Sequence, residues 1–586
     1  MQHPVYPTST STSAPAAGSP AASIGKHIRW QVILTLVGVA MLVTLLGYST
    51  YNVSTVLIPD RGGVFREGVA GNPLYLSPLR CQGDNEVDQV VCALLFRGLT
   101  RIDKHGRVVP DIAETWTVTD NTIYTFRLKP DQYWQDGRPV TADDVLFTIG
   151  ILQDPEVYSL PSLASLWRSV DVERVDDMTV RFILREPFTP FLDYTAMGLL
   201  PKHVWEGTPA TELATGTSNG IPVSNGPMRV AQMAADHIRL EPNPFYGGNT
   251  AYISALELHF YPDHPSIFSA FLAGEIDGIG AILPSDLPAA AMRDDLQIFS
   301  SVLPEYVHII FNLRNPNLPF FQDARVRQAL YYGVDRARLL EEVVAGQGIV
   351  AHSLVLPENW AYNPNVRRYD YDPERARQLL DEAGWIDTDG DGVRDKDGQP
   401  LTFQLTTNDD ITRQVLIERI ALEWQEIGVR AEPTQASFQG LVSDLLAPRR
   451  FDAALIGWEA PGDPDPYPLW HSTQAEGGGQ NYSGWSNEEA DQIMQDARAI
   501  TEPEQRKELY WRFQEIFAEE APALLLYHPV YSYGVSTRVQ NVQIGSLNEP
   551  AERFANFADW YIVTRRVPAN QVPTVSPPTP PGPSNQ

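Results

Sequence analysis

The chain is 586 residues long, 43% hydrophobic and 10% aromatic, and carries a formal net charge of −29. That length exceeds what one hydrophobic core usually supports, so two or three packed lobes are expected. The surplus of negative charge argues against nucleic acid or anionic lipid as a partner and leaves solubility as its plainest role.

Residues 1–29 are rich in Ser, Thr, Pro and Ala, bury too little apolar surface to fold, and read as a disordered cytoplasmic head. Lys26, His27 and Arg29 precede an uncharged apolar run. A helix over residues 30–51 reaches roughly 33 Å at about 1.5 Å per residue, enough to cross the hydrocarbon of a bilayer. Trp30, Tyr48 and Tyr51 stand where interfacial aromatics belong. The run is long for a signal peptide and no A-x-A site follows it, so it reads as an uncleaved single-pass anchor. The basic flank places the head inside and everything from about residue 60 outside. Cys81 and Cys92 fit no zinc, haem or redox spacing, and outside the cytoplasm the two are free to bridge.

Further along, residues 124–128 alternate as a half-buried strand does, and Asp136-Gly137 is a turn signal. Thr141, with Asp144 three positions on, opens a helix through Ile149. Asp372-Pro373 starts another helix, and Gly384 ends it. Residues 401–457 read as strand (401–407), helix (411–427, stopped by Gly428), strand (429–435), helix and strand (451–457). That alternation implies a mainly parallel sheet with helices on its faces. Ser486 with Glu489 forms a capping box for a helix through Ala499, and residues 504–519 form a further amphipathic helix. The proline-rich tail, 567–586, is expected to be extended and disordered.

Two segments carry chemistry. In the first, Asp387, Asp389, Asp391 and Asp395 stand at positions 1, 3, 5 and 9 of a loop, with Gly392 at 6 and the Val393 carbonyl at 7. This spacing suits a structural calcium ion, although Gly398 replaces the bidentate Glu of a full EF-hand. An unmetallated Asp-Gly turn is the alternative. The second segment, 457–471, directly follows an apolar strand and holds Trp458, Asp463, Asp465 and Trp470 among four prolines. Ligands of open α/β sheets bind beyond the carboxyl ends of strands. Indoles supply flat contact area there, and a carboxylate can pair with an amine. No H-E-x-x-H, G-x-S-x-G or Walker A motif is present, so nothing points to an enzyme.

Several blocks in order bear a resemblance. They are residues 95–103 (Leu-Phe-Arg-Gly-Leu-Thr-Arg-Ile-Asp), 109–116, 134–145 (opening Trp-Gln-Asp-Gly-Arg-Pro-Val-Thr), 224–228, 272–277 and 456–458. With them the chain resembles the extracytoplasmic solute-binding proteins of dipeptide, oligopeptide and nickel ABC importers. The likeness runs from Gly62 to Val542. It implies an α/β clamshell of two lobes with an extra domain inserted in the first. Lobe 1 would comprise 60–102, 205–311 and 529–566, the inserted domain 103–204, and lobe 2 312–528. It also implies closure on a small polar or peptide-like solute, and partnership with a permease heterodimer and its ATPase subunits, with no cofactor. A ligand-sensing receptor without transport would share the fold, and an extracellular hydrolase is the remote alternative. Asn72, in the first loop after the opening strand, and Tyr306 and Asn312, near the crossing between lobes, join Trp458, Asp463, Asp465 and Trp470 as candidate ligand contacts. In peptide-binding members an Asp just before the Gly462-Asp463-Pro464-Asp465 run holds the peptide α-amino group. Here Glu459-Ala460-Pro461 occupies that place, a departure that weakens the case for a peptide. Trp116 and Trp134 are read as core of the inserted domain.

Overall fold

The computed structural model describes residues 20–81, 85–103, 105–157, 166–215, 221–248, 251–459, 462–476 and 478–568. The expected head through residue 19 and the tail from 569 lie outside these. The chain divides into two units: Met1–Asp60 with Val563–Gln586, and Arg61–Ile562.

The first unit is a helix and a ribbon. The helix, Pro20–Ser54, begins ahead of the expected start at Trp30. Its stretch Gln31–Ser49 has a mean hydropathy of 2.2 and is wholly exposed, long and apolar enough to cross a membrane. The hydroxyls of Thr35 and Thr44 donate back to the carbonyls of Gln31 (2.8 Å) and Ala40 (2.7 Å), which masks the polar groups within the run. The strand Thr55–Asp60 follows at once and pairs antiparallel with Val563–Pro568, Thr55 opposite Pro568 and Asp60 opposite Val563. The strand thus takes in Val567 and Pro568, expected in the tail, and groups with the N-terminal helix, because its partner lies at the other end of the sequence.

The second unit is built on a 12-stranded sheet. Its parallel part matches the alternation read from residues 401–457: strand Thr402–Thr407, helix Ile411–Glu426, strand Arg430–Gln435 and strand Ala453–Glu459, with Thr402–Thr407 parallel to both other strands. Gly428 ends the helix at φ +84°, a conformation that favours glycine. The helix Pro373–Glu382 is capped by Asp372, which accepts from the Arg375 N–H at 2.9 Å. The helix Glu488–Ala499 is capped by Asn487 and not by the expected Ser486, since the amide oxygen of Asn487 takes the Ala490 N–H at 2.9 Å.

One strand, Ala523–Ser536, organises the rest. Its first half pairs with Glu305–Phe311, and its second half pairs with Leu296–Val302. Beyond the second half the sheet continues through Gly278–Ile279, Val64–Ala70, Ala255–Tyr261, His237–Pro242 and Met228–Met233. The chain crosses from one half to the other twice, at Leu303-Pro304 and within the long strand near His528. The first crossing precedes the boundary expected after Phe311, because Glu305–Phe311 pairs with Ala453–Glu459. The Leu303 N–H donates to the Pro529 carbonyl (3.0 Å), and His528 Nδ1–H donates to the Glu305 carbonyl (2.8 Å), so the crossings are tied together.

Each half has its own core. One gathers buried residues from Tyr306 to Tyr527, the other from Phe65 to Leu258 and Tyr531 to Trp560. A third core belongs to a four-stranded antiparallel sheet, Ala113–Thr119, Ile123–Leu128, Thr179–Leu184 and Val170–Asp176, backed by the helix Ala142–Gln153. Trp134 is fully buried there, and Trp116 packs half-buried at its edge. Asp144 accepts from the Thr141 N–H at 2.9 Å, the capping contact expected from the sequence. Cys81 and Cys92 form a disulfide, with Cα atoms 6.1 Å apart, at the margin of the second core.

Candidate functional site

The apolar strand Ala453–Glu459 buries Ala453 through Ile456 and delivers Trp458 to the crossing, directly opposite Tyr306 on the neighbouring strand. Gly457 permits this. A Cβ there would lie 2.5 Å from both Glu305 Oε1 and Arg413 Nη2, an ion pair 3.6 Å apart that runs past the strand. Tyr306 and Trp458 line a cavity of about 50 Å³, together with Pro304, Leu354–Leu356, Asn359, Pro464, Asp465, Pro466, Leu469 and Trp470. A second cavity, about 90 Å³, shares Pro304, Leu356 and Asn359 with the first. Its remaining wall comes from Gly106 of the inserted domain, from Val302 and Ser546–Asn548 of the first half of the sheet, and from Ile349, Pro357, Glu358 and Gly462 of the second. Gly106 (φ +73°) allows the close approach, since a Cβ there would lie 2.6 Å from Asn359 Nδ2. The two cavities adjoin across the three shared residues, and their walls together come from both lobes and the inserted domain. Such a concave, largely apolar site with a few fixed polar groups suits a small molecule.

Across the cleft the inserted domain touches the second lobe through named bonds. The Thr189 N–H donates to the Arg498 carbonyl (2.8 Å), the Thr189 hydroxyl to the Ile500 carbonyl (2.9 Å), and Asn121 Nδ2 to the Ala499 carbonyl (3.2 Å). Asp193 Oδ2 accepts the Asp463 N–H at 2.6 Å. Burial first, and then the neighbouring Asp463 carboxylate, pushes the Asp193 carboxyl up to about 8.

Asp463 and Asp465 were expected to meet ligand, and the structure gives both internal partners instead. Asp463 pairs with the buried Arg506 at 2.6 Å and accepts the Tyr510 hydroxyl at 2.8 Å. Asp465 pairs with Arg498 at 2.7 Å and accepts the Tyr467 N–H at 3.1 Å. Two carboxylates already neutralised by arginine hold the loop, and neither is free for an amine, although Asp465 still borders the cavity. The interrupting residues Ala460 and Pro461 lie outside the described residues.

Tyr306 and Trp470 do reach the cleft, both nearly fully buried. Trp470 packs edge-on against Phe517, with its indole N–H turned toward the Tyr306 hydroxyl. His308, packed between Tyr306 and Trp470, is drawn down to about 3 by burial and is neutral. Asn312 is not a cleft residue. Its Nδ2 donates to the carbonyls of Arg449 (3.0 Å) and Phe451 (2.9 Å), and so it ties loops. Asn72 is exposed and offers its carbonyl to Asn85 (2.9 Å), outside the cleft walls. The sequence reading missed Leu354–Asn359 and Ser546–Asn548. Both are irregular loops without periodicity, and the Leu356-Pro357 and Gly545-Ser546 turn chemistry was the only available signal.

In the acidic loop, oxygens of Asp387, Asp389 and Asp395 lie within 4.8 Å of one another. Asp391 turns away to Arg430 (3.5 Å), contrary to its expected place in the ligand set, because the arginine neutralises it. The Val393 N–H donates to Asp391 at 2.8 Å.

Comparison with known proteins places these features in company. The family model for bacterial extracellular solute-binding proteins, family 5 middle region, matches residues 107–480. The oligopeptide-binding protein AppA of Bacillus subtilis is 29% identical over 515 residues, covering 86% of this chain and 92% of the relative. Its structure in complex with a nonapeptide is 27% identical with a TM-score of 0.69, covering 86% of this chain and 100% of that one. The dipeptide-binding protein of Escherichia coli is 29% identical over 475 residues, 75% of this chain and 85% of the relative. NikZ from Campylobacter jejuni in complex with Ni(L-His) is 26% identical with a TM-score of 0.69, covering 85% of this chain and 99% of that one.

Proposed function

Because this chain belongs to the bacterial extracellular solute-binding proteins of family 5, a family of ligand binders and not of enzymes, we propose that it captures a small or peptide-like solute between its lobes and hands it to the permease of an ABC importer. The observation that carries this reading is the cleft walled by both lobes and the inserted domain, with Trp458, Tyr306 and Trp470 at one end. A solute touching all the walls stabilises the shut arrangement through its differential contacts. The two crossings, at Leu303-Pro304 and near His528, are where the backbone bends as the lobes part.

The exposed apolar stretch Gln31–Ser49 supports permanent anchoring in the membrane, with the ribbon of Thr55–Asp60 and Val563–Pro568 on its outer side. The span of the Asp387, Asp389 and Asp395 oxygens suits one calcium ion held for structure, with no part in the solute site. Uptake of labelled peptide mixtures by cells lacking the gene tests the import role. Full-length protein is expected to restore uptake. A protein that binds solute but leaves uptake unchanged belongs to a receptor and not to an importer.

A further inference from the structure

Among the described residues lining either cavity there is no Lys, Arg or His. The arginines beside the cleft face acids of their own: Arg498 pairs with Asp465 at 2.7 Å, Arg506 pairs with Asp463 at 2.6 Å, and Arg101 lies in the field of Glu552. Arg413, further along, faces Glu305 at 3.6 Å. The acids are in surplus. Glu358 lines the wall with its carboxylate on the Ser546 hydroxyl, and Glu549 stands beside the cleft near Glu459. Glu549 is held up to about 7, by burial first and then by the Glu552 and Glu459 carboxylates. A carboxylate moved from water into such a cleft loses its hydration and meets no cation among the described lining residues. A donor does exist for a neutral acceptor: Asn359 Nδ2, which reaches the Gly462 carbonyl at 3.3 Å.

We propose that the cleft selects solutes without an ionised carboxylate in the enclosed part: for a peptide, one whose carboxyl terminus is amidated, cyclised or otherwise neutral, with an apolar side chain against Trp458 and Tyr306. This rests on the peptide-solute reading above.

Two tripeptide libraries of the same composition test this, one as free acids and one as C-terminal carboxamides, offered together in equal amounts to the full-length protein. Retained peptides are released by denaturation and counted by mass spectrometry. The carboxamides are expected in at least tenfold excess. In Asn359→Lys, which sets an ammonium in the shared wall, the excess is expected to shrink or reverse. Equal retention of acids and amides by the native chain overturns the selectivity while leaving the peptide reading intact. Retention of neither library overturns the peptide reading, and the selectivity with it.

Discussion

Separating the lobes must break the contact between Asp193 and the Asp463 N–H, and that contact makes closure depend on pH. In the shut structure Asp193 shares a pocket with Asp463, Asp465, Tyr194 and Tyr510, against the arginines Arg498 and Arg506. Three carboxylates thus face two guanidinium groups, and protonating one carboxyl balances the cluster. Asp193 is that one, held up to about 8 by burial and by Asp463. Once the lobes part, water returns and the group regains an ordinary value of about 3.9. The shut state therefore binds a proton that the open state releases. Closure is fully favoured below about pH 4 and loses up to tenfold per pH unit until about pH 8. Between pH 5 and pH 7 the shut-to-open ratio falls by up to about a hundredfold, or about 2.7 kcal/mol. Spin labels on exposed sites of the inserted domain and the second lobe, read by electron–electron resonance in solute-free protein, report the ratio directly. Asp193→Asn keeps an acceptor for the Asp463 N–H without a charge, so it is expected to stay shut across the range. A variant that keeps the native pH slope, or native protein that shuts more tightly as pH rises, refutes the reasoning.

Trp458→Ala removes an aromatic wall that is only half-buried in the free protein, so calorimetry should record about tenfold weaker solute binding with an unchanged melting temperature. Unchanged affinity would take Trp458 out of the site. Arg506→Ala strands the Asp463 carboxylate in a buried setting, and denaturant unfolding should show a loss of about 3–5 kcal/mol, whereas a loss under about 1 kcal/mol would mean that water reaches the pair. Chelator is expected to lower the melting temperature of the native chain and to leave that of Asp387→Asn unmoved. An identical response in both leaves the acidic loop a simple turn.

Much of the architecture was legible because it is written in local chemistry. Gly428 at positive φ, Asp372 ahead of Pro373, and the four-residue buried run ending at Gly457 each act within a few positions of themselves. The site was legible as far as the strand end, since Trp458, Tyr306 and Trp470 border the cleft. What escaped was pairing over distance. Asp463 and Asp465 look like free carboxylates until Arg506 and Arg498 arrive from helices more than thirty residues downstream. Asn312 resembles a cleft amide until its two carbonyl partners are seen. An apolar strand such as Glu305–Phe311 reads the same whichever half of the sheet it joins, so its pairing with Ala453–Glu459 was not legible. The pairing of Thr55–Asp60 with Val563–Pro568 joins chain ends that no local pattern connects.

The central claim is a shut cleft that holds its solute unchanged. Loading the full-length protein with the solute it retains, washing, and then denaturing it for mass spectrometry tests that claim in one step. One molecule per chain should return at the mass at which it went in. A released species of altered mass, or solute bound in ratios that drift with concentration, would contradict it.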